Sequence, residues 1–166
     1  ENNLTDLLDD YIESTVNSED KIMLLICKSY QLRYERKRYN IIGTVRLRSE
    51  INELLTELNR NELSISGDEL KLFDLYIDLF QYFEHVNPFS IWSKTPERTE
   101  QLIQMEEFAK EKNLIVNTMA HYFLGRIYQK VEREPQKGKT HFQFLSRKFP
   151  GNELFKDHLE DCEQKL

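Results

Sequence analysis

The chain has 166 residues, 39% of them hydrophobic and 31% charged, which suits one domain with a real core and a well-charged surface. Its 5 glycines and 4 prolines are too few for the turns of an all-β fold, and no apolar run approaches the roughly 18 residues of a membrane helix. The net charge of -6 argues against generic nucleic-acid binding by the whole domain. Cys27 and Cys162 lie far apart without CxxC spacing, which points to free thiols in a reducing compartment. The expected location is the cytoplasm, with a removed leader left open because the chain starts at Glu1 rather than at a methionine.

In chain order, Leu4, Leu7, Leu8, Tyr11 and Ile12 space as the apolar side of a first helix that ends near Asn17. Ser18 suits the cap of a second helix, and Glu19 and Asp20 suit its first turn. That helix runs through the apolar segment 22–26, Tyr30 and Tyr34 and ends near Asn40. A third spans residues 43–59, with Val45, Leu47, Ile51, Leu54, Leu55 and Leu58 as its apolar positions, and a polar loop follows to Gly67. In the fourth, residues 68–85, the stripe Leu72, Leu75, Tyr76, Leu79, Phe80 and Phe83 is widened by Leu70, Phe73 and Ile77, as in a central helix packed on two sides. Residues 87–95 hold Pro88, Phe89 and Trp92, an apolar loop expected to fold back on the bundle. Together with the aromatic fourth helix it leaves a homodimer open. Thr95-Pro96-Glu97 starts the fifth helix, with Thr as cap, Pro at the first position and Glu against the dipole, and that helix runs to about Lys112.

Ala120, Phe123, Leu124, Ile127, Tyr128 and Val131 form one stripe on a sixth helix, and Gly125 beside it would let another helix approach closely. Gly138, Phe142, Leu145 and Phe149 form the matching stripe on a seventh, which Pro150-Gly151 stops. Asn152 suits the cap of a last helix over residues 153–166. In the pattern of Leu124, Gly125, Tyr128, Gly138, Phe142, Leu145 and Pro150, residues 118–151 resemble one tetratricopeptide (TPR) repeat. The two halves stand one residue further apart than usual, the extra residue falling in the turn Glu132-Arg133-Glu134-Pro135. The resemblance implies an all-α fold in which antiparallel helical hairpins stack as a TPR-like array. A single repeat does not bury its face alone, so the rest of the chain is expected to supply more helices, about eight in one domain over residues 1–166. It implies a non-catalytic scaffold or adaptor that binds a protein or peptide. Carried over by position, the groove residues are Met119, Tyr122, Arg126, Gln129 and Lys130, with Arg126 and Lys130 on one face able to grip a carboxylate.

No constellation points to catalysis. The four histidines, His85, His121, His141 and His158, show no metal-ligand spacing. His158 and Cys162 share a helix face, but two ligands fall short of a structural zinc site, so they read as a surface pair. The acidic pairs Asp9-Asp10, Glu106-Glu107 and Glu160-Asp161 point apart on their helices and read as solvated. There is no phosphate loop, no GxSxG and no activated cysteine, so neither enzyme activity, cofactor nor metal is expected. A polar pocket around His121 or His141 is the observation that would reopen the question.

Arg33, Arg36, Lys37, Arg38, Arg46 and Arg48 form a basic patch interleaved with Tyr30, Tyr34 and Tyr39. It reads as a solvated face that favours a helix C-terminus or pairs with the acidic N-terminal segment. As a binding strip it would take phosphates or an acidic peptide. The second reading of function follows from that option: the chain as the helical sensor or regulatory domain of a larger regulator whose nucleic-acid-binding or effector part is absent from it.

Overall fold

The computed structural model describes residues 21–58, 67–85 and 96–166, and all regular structure among them is α-helical. Seven helices result: α1 (Lys21–Lys37), α2 (Ile41–Glu57), α3 (Gly67–His85), α4 (Pro96–Phe108), α5 (Leu114–Lys130), α6 (Pro135–Lys148) and α7 (Glu153–Glu163). The helix expected at residues 4–17 and the loop at 87–95 lie outside the described residues. None of the described helices is long and apolar enough to cross a membrane.

The contacts divide the chain into two compact units, Glu1–Ile65 and Ser66–Leu166, parted within the polar stretch that precedes α3. In the first, α1 and α2 pack as a hairpin on Leu25, Cys27 and Leu32 from α1 and Leu47, Ile51, Leu54 and Leu58 from α2 and its cap. Lys21 pairs with Glu57 and Lys28 with Glu50, successive rungs that rise along α1 and descend along α2, the register of an antiparallel pair. The boundary between them differs from expectation. Tyr39 takes a left-handed backbone (φ 57°) that ends α1 early, and Asn40 caps α2 by accepting from Gly43 N–H. A left-handed residue that is not glycine carries no sequence signal, so Ile41 and Ile42, expected in the turn, become the first turn of α2.

In the second unit α3 packs against both α4 and α5, as its wide apolar face requires. One cluster joins Leu75 and Tyr82 of α3, Met105 of α4 with Ala109 just beyond it, and Val116, Ala120, Leu124, Ile127 and Tyr128 of α5. A second joins Phe142 and Leu145 of α6 to Phe155 and Cys162 of α7, with Tyr122, Phe149 and Leu159 against it. Between α5 and α6 the glycines set the distance. A Cβ on Gly125 would stand 2.8 Å from Phe142 Cζ, and one on Gly138 would stand 3.1 Å from the Gly125 carbonyl oxygen. The turn between the two helices passes through Arg133, again left-handed (φ 58°), with Glu134 N–H donating to the Tyr128 carbonyl at 2.8 Å. Phe149 caps α6 just ahead of Pro150, and the side chain of Asn152 caps α7.

Candidate functional site

The five groove positions of α5 do not line an open channel, because α7 lies against most of them. Tyr122 packs among Phe142, Phe155 and His158. Gln129 is buried, donates to the His158 carbonyl at 3.1 Å and accepts from Arg126 at 3.2 Å. Arg126 also reaches the His158 ring, at 3.3 Å. Lys130, the exposed member, pairs with Asp161 at 2.6 Å. With Lys165 also beside it, the Asp161 carboxyl is held down to about 2 by hydrogen bonds to both ammonium groups. Met119 turns the other way and packs on the cluster built from α3, α4 and α5.

This placement corrects the reading of His158 and Cys162 as a surface pair. Cys162 is fully buried, its sulfur 3.2 Å from where a Gly138 Cβ would stand, and His158 packs on the Phe142 ring at 5.0 Å. Phe155, His158, Leu159 and Cys162 make one stripe at helical spacing, and α7 presents that stripe to α5 and α6. Burial pushes the Cys162 thiol up and the His158 imidazole down, both toward the neutral form.

A polar cluster does exist around His121 and His141. Their Nδ1 atoms stand 3.0 Å apart, a contact that a single shared proton satisfies. His141 is buried, stacks on Tyr128 and directs Nε2 at Glu106 Oε1, 3.3 Å away. A carboxylate only accepts, so Nε2 carries the proton in that contact. Tyr128 donates to the same carboxylate at 2.9 Å. The hydrogen bond from His141 is the main force lowering the Glu106 carboxyl, and burial opposes it. Glu106 is therefore not the solvated carboxylate of an acidic pair. His121 stacks on Phe144 at 3.9 Å, with Lys148 near. Burial first, then the neighbouring His141, brings its imidazole down to about 4.

These groups bridge α4, α5 and α6 and satisfy one another. Outside them, Thr140, Gln143, Phe144, Arg147 and Lys148 line a shallow, open hollow along α6. Among the described residues no group of three or more His, Cys, Asp and Glu is arranged to hold a metal ion. The cluster was partly legible: His141 stands three residues after Gly138 and four before Leu145, on the inner side of its helix. Glu106, distant in sequence from both histidines, offered no such signal.

The basic patch belongs to the first unit. Arg33, Lys37, Arg38 and Arg46 are exposed, while Arg36 and Arg48 are partly covered and engaged. Arg38 lies over the Tyr34 ring, 5.4 Å from its centre, and Arg46 reaches Glu50 at 3.6 Å. Comparison of the chain with protein-family models, with curated proteins and with solved structures returns no match.

Proposed function

We propose that the unit Ser66–Leu166 is a non-catalytic scaffold that binds a protein or peptide partner, with α5 and α6 forming a TPR-like hairpin. The observation that carries this reading is the α5–α6 crossing. Gly125 and Gly138, the two small positions of the pattern, meet at the closest approach of the helices, and Leu124, Tyr128, Phe142 and Leu145 are buried around them. The α5 face also receives a helix through mixed contacts. Tyr122 supplies apolar area, Arg126 and Gln129 meet backbone and ring, and Lys130 meets a carboxylate. α7 holds part of that face, and a partner would engage the Arg126 and Lys130 edge beside it.

The test is capture of partners from native lysate by wild type, by Arg126→Glu/Lys130→Glu and by Lys110→Glu/Lys112→Glu. The last pair makes the same charge change at exposed positions beyond α4. The reading expects one protein held by wild type and by the control pair but lost from the α5 pair with melting intact. Equal capture by all three would reject the α5 face.

A further inference from the structure

The tip of the α1–α2 hairpin exposes apolar side chains to a degree that the rest of that hairpin does not. Tyr39 is 90% exposed, Ile42 84%, Ile41 77% and Val45 61%. Side chains this exposed do not line a groove, which would shade them. Burying these side chains against α1 is ruled out by register: Gly43, Leu47, Ile51 and Leu54 form the inner stripe of α2, and Ile42 and Val45 stand off it. Lys37 and Arg38 precede Tyr39 in the turn, Arg46 follows Val45, and Arg33 lies one helical turn before Lys37. One carboxylate, Glu35, stands at the tip, its Oε2 3.0 Å from where a Gly43 Cβ would be; Glu53 and Glu57 sit at the opposite end of α2, where Glu57 pairs with Lys21, and Glu50, between the ends, pairs with Lys28 at 2.6 Å. The tip is thus apolar and carries a net positive charge, with Arg33, Lys37, Arg38 and Arg46 against Glu35.

We propose that this tip docks on the surface of an anionic lipid bilayer. Three branched aliphatics serve no purpose against a phosphate backbone of nucleic acid, and side chains this exposed do not line the kind of groove in which a peptide lies. A fully exposed apolar tip flanked by Lys and Arg matches the boundary between headgroups and acyl chains. Tyr39, Ile41, Ile42 and Val45 enter the acyl edge, and Lys37, Arg38 and Arg46 meet lipid phosphates and carboxylates. The whole-chain charge of -6 does not oppose this, since the attraction acts within a Debye length of the tip.

Flotation of the full chain with two kinds of vesicle tests the proposal: phosphatidylcholine alone, and phosphatidylcholine with about one-third phosphatidylserine. Wild type is expected to float with the serine-containing vesicles and not with the neutral ones. Ile42→Asp and Lys37→Glu/Arg38→Glu should each bind at least about tenfold more weakly with melting unchanged. Both native cysteines are buried, so a polarity-sensitive thiol dye attached to I42C reports the tip alone, and its emission should shift to the blue only with anionic vesicles. No wild-type flotation, full binding by Ile42→Asp, or an unshifted dye would overturn the proposal. So would retention on duplex DNA that Ile42→Asp leaves intact, which would give the patch to nucleic acid. Self-association lost in Ile42→Asp, without vesicle binding, would give it to a second copy of the chain.

Discussion

The α1–α2 and α5–α6 pairs are both helical hairpins, yet they bring their helices together by different means. In α5–α6 two glycines remove the side chains at the crossing, and the partner atoms are a buried ring and a backbone carbonyl. In α1–α2 the helices meet through leucine and isoleucine side chains and two ion pairs. That hairpin also has a glycine, Gly43, but a Cβ there would meet only the ends of side chains, the Asn40 cap amide at 2.7 Å and the Glu35 carboxylate of α1 at 3.0 Å. The lesson is that a helical glycine carries weight according to what lies opposite it. Only the α5–α6 glycines face a buried ring and a backbone carbonyl of another helix, neither of which can swing aside.

Substitution at the two sites should separate them. Gly125→Leu forces atoms into the fully buried Phe142 ring and should cost about 3 kcal/mol, seen as a lower denaturation midpoint for the second unit. Gly43→Ala should cost no more than about 1 kcal/mol, the worth of the cap it disturbs, offset by better helix propensity. An unchanged midpoint for Gly125→Leu would remove the main support for the close crossing.

Acid should sharpen the contrast, because the histidine cluster belongs to the α5–α6 side. The folded His121 imidazole titrates at about 4, below its ordinary value of 6.5, so the unfolded chain binds the proton first as pH falls. The stabilisation is present above pH 6.5 and is lost progressively between there and pH 4. The lowered His158 acts with the same sign. Physically, protonating both rings sets two N–H groups against each other across the Nδ1 contact. Denaturant midpoints measured against pH should fall in this window, and His121→Phe should flatten the slope.

Smaller effects follow at the surface. A double-mutant cycle on Lys130→Ala and Asp161→Ala should give a coupling of about 0.5 kcal/mol that weakens with salt, since Lys130 is 45% exposed. Ile42→Asp, at the exposed tip, should change stability by less than about 0.5 kcal/mol. A larger loss there would mean that Ile42 is covered in solution.

Much of this architecture was legible because helical periodicity is local. The stripes of α3, α5 and α6, the stop at Pro150 and the Asn152 cap follow from neighbours within four positions. What escaped was set by contacts distant in sequence or by backbone geometry without a residue signature. Tyr39 turns left-handed without being glycine, which moved the start of α2 to Ile41. Glu106 acquires its role only through His141, and His158 and Cys162 become interior only because α7 folds back across α5 and α6. The five α5 positions were legible as one set. Which of them α7 would engage was not, since the pairing of Lys130 with Asp161 spans 31 positions.

The scaffold reading is tested most directly by site-specific photocrosslinking in the native lysate. A crosslinker placed at Lys130, on the edge of the α5 face, is compared with one at Gln104, exposed on α4. The account predicts a discrete protein adduct at position 130 that is absent at 104 and competed by unlabelled wild type. Adducts of equal yield at both positions, or at 104 alone, would contradict it.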